Sequence, residues 1–345
     1  MVVSSLRLTP GGLQRIGRRL GTIALTLFGL LVLTFLIGRV MPLDPVLAVV
    51  GPDADHSTYM QVFHRMGLDR PLYVQFGYYL RDLLHGDLGN ALLTGLPVIN
   101  DIRRVFPATL ELATVAIILG VCVGIPLGVY AATQRGRLGD HVVRVISLFG
   151  YSTPIFWFGM MGLLIFYAWL GWVGGAGRVD LAYDGLVKPV TGLLLLDSAM
   201  AGEWAVFASA FKHIVLPACI MGLHSTAYIS RMTRAFMLAQ LSQEYILTAR
   251  VKGLSERQVI WRHAFRNILV QLLTIVALTY GNLLEGAVLI ETVFAWPGFG
   301  QYLTSSLLLG DMNAVMGCVL LIGLIFVFLN LLADALYQVF DPRTR

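Results

Sequence analysis

The chain has 345 residues, of which 57% are hydrophobic and 13% are charged, and its net charge is +5. Soluble domains typically carry about 25% charged residues, so this composition excludes an ordinary soluble enzyme domain. The basic residues separate long apolar blocks instead of clustering with aromatic side chains on one polar face, which argues against nucleic-acid binding. The composition therefore indicates a protein whose surrounding solvent is largely lipid.

Residues for catalysis or metal binding form no recognisable pattern. Cys122, Cys219 and Cys318 lie inside apolar blocks, where thiols usually serve packing, so neither a disulfide framework nor a metal site is predicted. The chain contains no Gly-Lys-Ser or Gly-Lys-Thr sequence and hence no phosphate-binding loop of that type. We therefore predict a chain that is not an enzyme, binds no cofactor and takes energy from a partner or a gradient.

A helix that crosses the hydrocarbon core needs about 20 mostly apolar residues. Six blocks reach or approach this length, which predicts an all-α polytopic membrane protein with six transmembrane helices. The predicted spans are 20–40, 107–134, 142–170, 214–237, 268–294 and 312–338, with a core domain over about 107–340. The segments between them are 1–19 and 238–267 on one side and the long stretches 41–106 and 171–213 on the other.

The first block follows Arg15, Arg18 and Arg19, as a secretory signal would. It lacks a small-x-small cleavage motif, so we predict an uncleaved membrane anchor. Sixteen of the 25 Lys and Arg residues fall on the side that holds the termini and 238–267. Because positive residues in short segments stay inside, both termini are predicted to be cytoplasmic, and the long outer segments are predicted to form a cap or a docking surface.

The second and third spans contain residues that shape helices. Pro126 and Pro154 are predicted to kink their spans, since proline cannot donate to the helical ladder. Gly120, Gly124 and Gly128 recur every four residues and predict a face for close helix packing, which a partner subunit could occupy.

The inner segment 238–267 predicts a short helix, a glycine turn and a second helix. Ser242 is predicted to cap a helix over 244–252, whose first turn carries an acid that suits the positive end of the helix dipole. Gly253 is predicted to end that helix, and Ser255 with Gln258 resembles a capping box that opens the next one. Such an element either fits a groove on a cytoplasmic partner and transmits its motion, or rests on anionic lipid.

Glu285 lies inside the fifth span, three residues after Asn282, so both occupy one helical face. An acid within a span is a functional hypothesis by default, because burial of its charge is costly. The two residues are predicted to line a translocation path, against the alternatives of a helix–helix hydrogen bond or a wet position near the surface. Farther along, Glu291 is predicted to belong to the same path and to help shape an outer gate, and Trp296 either joins it or anchors the span at the lipid interface.

The inner segment resembles the coupling loop of ABC importer permeases. Its sequence Glu-Tyr-Ile-Leu-Thr-Ala-Arg-Val-Lys-Gly-Leu over 244–254 is similar to the E-Y-x-x-T-A-R-x-K-G-L of the peptide-permease branch, and 262–267 match the continuation R-H-A-x-R-N. The general importer signature has Glu-Ala-Ala where this chain has Leu247-Thr248-Ala249, so the assignment depends on the branch pattern. Further segments that resemble this branch are 42–45, 67–72, 86–89, 107–112, 150–157, 291–294, 296–300 and 341–343.

Within that branch, called the dipeptide/oligopeptide/nickel branch, the chain is most similar to the first dipeptide permease subunit. The resemblance implies a type I ABC importer fold in a bacterial inner membrane, with a second homologous permease subunit, two ATPase subunits that use ATP and Mg, and an extracytoplasmic substrate-binding protein that delivers di- or oligopeptides. Nickel chelates, glutathione, opines and haem are alternative cargoes. The residues implied to couple to the ATPase are Glu244, Tyr245, Thr248, Ala249, Arg250, Lys252, Gly253 and Leu254.

Two other classes of protein are weaker alternatives. A proton-coupled secondary transporter could use Glu285 as a relay, but a single intramembrane acid, six spans and the lack of an inverted repeat argue against it. A membrane-embedded enzyme would need a nucleophile with its base or a metal motif, and the sequence offers neither.

Overall fold

The computed structural model describes residues 10–40, 45–51 and 53–340. Two of the segments in the family resemblance, most of 42–45 and all of 341–343, lie outside these residues. The described part is helical apart from turns and one isolated bridge between Asn90 and Pro97. The helices are α1 (Pro10–Val40), α2 (Pro45–Val50), α3 (His56–Arg65), α4 (Leu72–Leu84), α5 (Val98–Thr133), α6 (Leu138–Ser152), α7 (Ile155–Gly162), α8 (Leu194–Ala201), α9 (Trp204–Leu241), α10 (Glu244–Val251), α11 (Glu256–Gln258), α12 (Arg266–Val293), α13 (Phe299–Leu308) and α14 (Met312–Phe340).

Five helical stretches are long and apolar enough to cross a membrane. They are Gly21–Gly38, Val98–Thr133, Trp204–Leu241, Glu256–Val293 and Met312–Leu332. The sixth predicted span corresponds to α6 and α7, which the π-helix Leu163–Trp169 extends. When that pair is counted as one span, the described helices confirm the predicted number of six.

The third span is broken, not merely kinked, because its two halves meet at 93°. Thr153 is extended at the break, with φ −82° and ψ 133°. A residue before proline is disfavoured in the helical region, and Pro154 itself has no N–H to continue the ladder. The sequence predicts a bend at Pro154 but understates its size.

The chain divides into two compact units, of which the first comprises Met1–Asp101 and Ser306–Val327. In it α4 packs on α1 through the rings of Phe76 and Phe35, 5.2 Å apart. Asp311 accepts hydrogen bonds from the backbone N–H of Ala314, at the start of α14, and from that of Leu92.

The second unit comprises Ile102–Ser305 and Phe328–Arg345. Its glycine face packs inside the unit: a Cβ at Gly124 would come within 3.1 Å of the Ile229 side chain, and one at Gly128 within 2.5 Å of Thr233. These glycines therefore let α5 and α9 approach closely, and the expectation that their face meets a partner subunit is corrected.

Two buried apolar clusters organise the second unit. One joins α5, α9 and α12 and includes Leu112, Met221 and Ile290. The other gathers the ends of the same three helices around Met237 and Ile268. This second cluster is the base on which α10 rests.

Candidate functional site

The short helix α10 begins at Glu244, as predicted, but its N-cap is not the predicted residue. Its N-cap is Gln243, which is extended and makes no side-chain cap hydrogen bond. Ser242, the predicted cap, is instead the C-cap of α9, and its hydroxyl donates back to the Ala239 carbonyl at 3.0 Å. Glu244 occupies the first turn, where its charge suits the helix dipole.

The end of α10 is the predicted glycine turn. Gly253 has φ +80°, its N–H donates to the Arg250 carbonyl at 2.9 Å, and the N–H of Leu254 donates to the Ala249 carbonyl at 3.3 Å. These two bonds form a Schellman motif, which requires a left-handed residue at the position of Gly253. The prediction for this turn is confirmed.

The turn is closed by side chains on both sides. Ser255 and Gln258 form the predicted capping box of α11. The Arg250 guanidinium donates to both Glu256 carboxylate oxygens, at 2.8 and 3.2 Å, across the turn. An exposed pair of this kind adds roughly 0–1 kcal/mol, so backbone bonds set the turn and the ion pair limits its movement. From α11 the chain continues through the π-helix Val259–Phe265 into α12.

One face of α10 fixes it to the membrane helices. Ile246 and Ala249 are 0% and 6% exposed and pack in the cluster with Met237 of α9 and Ile268 of α12. Leu254, beyond the turn, is partly buried against the same cluster. Both ends of α10 are therefore connected to α9 and α12, and its inner face is buried against them.

Tyr245 adds a polar connection. Its hydroxyl donates to Gln240 Oε1 at 2.8 Å, and it accepts from Asn267 Nδ2 at 2.9 Å. Gln240 lies in the last turn of α9 and Asn267 in the first turn of α12. The tyrosine therefore joins both helices to α10.

The opposite face of α10 is open. Leu247 and Val251, one turn apart, are 63% and 80% exposed, and Glu244 and Thr248 lie beside them. Apolar side chains exposed together outside an apolar span are typical of a surface that binds a partner. Neither residue is among the predicted coupling residues, although their four-residue spacing places them together on one helical face.

The predicted coupling residues thus divide by position. Ala249 and Leu254 serve the packing side of the element. The remaining six, which are Glu244, Tyr245, Thr248, Arg250, Lys252 and Gly253, are exposed to different degrees.

A second polar constellation lies where two of the family-like segments, 107–112 and 291–300, meet. Glu291 is 0% exposed, and one of its oxygens accepts from the Thr109 hydroxyl. The other accepts from the N–H groups of Gly300 and Gln301, at 2.6 and 3.0 Å. Thr109 in turn accepts from the Phe299 N–H at 2.8 Å. We name Glu291 and Thr109 with their backbone partners the Glu291 latch.

Trp296 and Arg178 complete the surroundings of the Glu291 latch. The Trp296 indole is buried and donates from Nε1 to the Ala108 carbonyl at 3.0 Å, so it is not a lipid-interface anchor. The Arg178 guanidinium lies over its ring at 5.6 Å and pairs with Glu111. In this structure Glu291 is enclosed by these contacts, and its placement on a translocation path stays a prediction.

The other two predicted path residues are placed differently. Asn282 and Glu285 are both exposed on α12, three residues apart. Neither makes a side-chain hydrogen bond to the part of the chain that the structure describes. Their face is open for a second subunit, water or cargo. No group of three or more His, Cys, Asp or Glu side chains within the described ranges could hold a metal ion.

The helices and the α10 element together define a polytopic membrane protein with a short helix packed at the ends of two spans. Residues 124–345 match the family described as "Binding-protein-dependent transport system inner membrane component", and residues 13–113 match its N-terminal companion family. The chain belongs to this family of inner membrane transport components. The membership confirms the prediction of a non-catalytic transport subunit.

Relatives over nearly the whole length agree with this assignment. The chain is 42% identical to the Di/tripeptide transport system permease protein DppB of Pseudomonas aeruginosa, over 96% of this chain and 99% of that protein. It is 42% identical to the probable D,D-dipeptide transport system permease protein DdpB of Escherichia coli, over 93% and 94% of the two chains. It is 41% identical to the dipeptide transport system permease protein DppB of Escherichia coli, over 96% and 99%.

Proposed function

We propose that this chain is one of two homologous permease subunits of an ATP-driven importer of di- and oligopeptides in a bacterial inner membrane. Two separate ATPase subunits bind ATP and Mg²⁺, and an extracytoplasmic binding protein delivers the peptide. The three relatives described above are named as permeases for short peptides, which supports this cargo. Both termini and α10 face the cytoplasm, as the distribution of Lys and Arg favours.

The observation that carries the proposal is the two-sided character of α10. Its inner face is packed on α9 and α12 through Ile246 and Ala249, and its outer face exposes Leu247 and Val251. A helix with an exposed apolar pair fits a groove on a partner protein. A nucleotide-driven partner that holds this face therefore moves both membrane helices.

The motion begins when ATP binding closes the ATPase pair. The helix α10 follows the ATPase subunit that holds it as a rigid body, since the Schellman turn and the Arg250–Glu256 pair hold its far end. The attached ends of α9 and α12 shift with it, which reorients the spans from inward-facing to outward-facing. Hydrolysis releases the partner and returns the spans.

The exposed face of α12 lines the path in this mechanism. Asn282 and Glu285 lie there without partners of their own in the described chain. A carboxylate at this position suits the ammonium group of a peptide's N-terminus. Glu291 holds the outer end of α12 in place through the Glu291 latch, and opening of that latch would widen the outer mouth.

The test uses cells that lack this chain but contain the rest of the system. Leu247→Asp puts a charge on the open face of α10 and is expected to abolish uptake of a radiolabelled dipeptide and co-purification of the ATPase subunits. Leu138→Asp is the control, because Leu138 is 83% exposed at the start of α6 and lies outside α10. Normal uptake with Leu247→Asp would disprove the role of this face.

A further inference from the structure

A cavity of about 400 Å³ lies between α6 and α9, away from α10 and from the Glu291 latch. Its walls are largely apolar, and three guanidinium groups lie at it. The residues used below are Val143, Leu148, Ala227, Arg144, Arg231 and Arg234, and we name this site the arginine cavity.

The three arginines have one carboxylate among them. Asp140 accepts from Arg234 through both oxygens, at 2.6 and 2.8 Å, and from the Gly136 N–H at 3.0 Å. Arg144 is farther away, with its Nε 3.8 Å from the same carboxylate. Since Asp140 neutralises only one guanidinium, the arginine cavity carries an excess of two positive charges.

Arg231 is held in place by aromatic rings. Its guanidinium lies 4.9 Å from the centre of the Tyr151 ring and 5.6 Å from that of Tyr228. Tyr151 is itself stacked on His224 at 5.1 Å. Within the described residues no carboxylate pairs with Arg231. Stacking orients a guanidinium without neutralising it, so the charge stays available to a ligand.

The position of these arginines along the helices is that of a membrane boundary. In α9 the 18 residues 213–230 contain no Asp, Glu, Lys or Arg, and they lie between Lys212 and Arg231. At 1.5 Å per residue this stretch is about 27 Å long, close to the hydrocarbon thickness of about 30 Å. Arg144 is likewise the last charged residue before the apolar part of α6 and α7. Arg144 and Arg231 therefore lie at the level of lipid headgroups.

We propose that the arginine cavity binds an anionic phospholipid. The phosphate contacts Arg231 and Arg144, and an acyl chain lies against Val143, Leu148 and Ala227. Positive charge at the headgroup level beside an apolar groove is the chemistry that recognises such lipids. A free phosphate ion would have no use for the apolar wall, and a phosphatidylcholine headgroup would leave the excess positive charge unmatched.

The bound lipid joins two elements that the mechanism moves. It bridges α6, which ends at the break before Pro154, to α9, which leads into α10. Lipid binding at the arginine cavity does not depend on which cargo is transported, so it is tested separately from the peptide assignment.

The experiment uses the full chain purified with its partner subunits and analysed by native mass spectrometry during titration with lipid. Phosphatidylglycerol and phosphatidylcholine with identical acyl chains are compared. The wild type is expected to bind phosphatidylglycerol more tightly. Arg231→Gln is expected to weaken phosphatidylglycerol binding about fivefold and leave phosphatidylcholine unchanged, since one basic residue near a membrane surface contributes about 1 kcal/mol.

Matched variants separate charge from folding. Arg231→Lys keeps the charge and is expected to retain most of the preference for phosphatidylglycerol. Ala227→Leu places a larger side chain in the apolar part of the cavity and is expected to weaken the binding of both lipids.

Three results would overturn the proposal. They are equal binding of the two lipids by the wild type, undiminished phosphatidylglycerol binding by Arg231→Gln, and stoichiometric displacement of phosphatidylglycerol by a dipeptide. The last result would assign the arginine cavity to the cargo.

Discussion

Hydrogen bonds close both the turn after α10 and the Glu291 latch, but the charged side chains are exposed at the first and buried at the second. At α10 the ion pair between Arg250 and Glu256 is exposed, and backbone bonds carry the geometry. At the Glu291 latch a fully buried carboxylate holds the loop after α12. Two segments that resemble the family equally well in sequence therefore differ in structure: one forms a surface and the other lies in the interior.

Loss of the buried carboxylate is expected to have the largest effect. Glu291→Ala leaves the Thr109 hydroxyl and two backbone N–H groups unsatisfied, at roughly 1–3 kcal/mol for each buried group. The purified variant is expected to unfold at a markedly lower temperature and to lose uptake. Glu285→Ala, which removes an exposed acid from the same helix, should change stability by less than about 0.5 kcal/mol. Equal stability of the two variants would contradict the comparison.

Strain at the exposed turn is expected to act on coupling more than on folding. Gly253→Val forces a β-branched residue to φ +80°, which costs about 1–3 kcal/mol locally. We expect normal amounts in the membrane, loss of ATPase co-purification and uptake reduced by about tenfold or more. Gly253→Asn tolerates the left-handed conformation and should retain most uptake. If the Gly253→Val variant transports as well as the wild type, the turn has no role in coupling.

A third carboxylate, that of Asp197, extends the comparison to the pH dependence of stability. Asp197 is buried at the start of α8, and burial raises its pKa, but hydrogen bonds from Thr191 and from the backbone of Thr191, Gly192 and Val190 outweigh this and lower the pKa below its usual 3.8. A carboxyl whose pKa is lower in the folded state than in the unfolded state stabilises the fold at pH values above the unfolded-state pKa. This stabilisation is lost as the pH falls through the folded-state pKa.

The measurement is thermal unfolding of wild type and Asp197→Asn at neutral and acidic pH. At pH 7 the variant should be less stable by about 1–2 kcal/mol, because charge-assisted hydrogen bonds are lost. The difference in stability between the wild type and the variant should become smaller only at pH values below the usual pKa of the carboxyl. A gap that is constant down to acid pH would show that the charge of Asp197 contributes nothing.

The smallest effect is expected at the open face of α12. Glu285→Gln removes the charge and keeps the shape, so uptake of peptides with a free N-terminal ammonium should fall by a few fold while ATPase association stays normal. The same variant should transport N-acetylated peptides as the wild type does, if the system accepts them. Identical uptake of the free peptides would exclude a path-lining role for this charge.

Local signals explain what could be predicted from the sequence. Gly253 and the Ser255 capping box depend on neighbours within a few residues, and both are present. Ser242 misled the prediction because it has two possible roles at adjacent helix ends, and the end of α9 engages its hydroxyl. The six spans follow from apolar length alone, which is also a local property.

Contacts between distant residues could not be predicted in this way. Glu291 and Thr109 are 182 positions apart, and nothing near Glu291 indicates that its carboxylate is enclosed. The glycine face of α5 was assigned a possible partner outside the chain because periodicity shows that a face is small, not which helix covers it. The angle at Pro154 likewise depends on what packs against α6 and α7. A proline in the sequence predicts a bend but not the size of that angle.

The 93° break before Pro154 has a consequence for water. Hydrocarbon cannot satisfy the backbone groups that a broken helix leaves free, so such breaks occur only against protein or an aqueous cavity. The side of the bend at Ser152 and Pro154 is exposed in this chain. In a membrane, that side therefore has to be covered by protein or to face an aqueous cavity, and not the acyl chains.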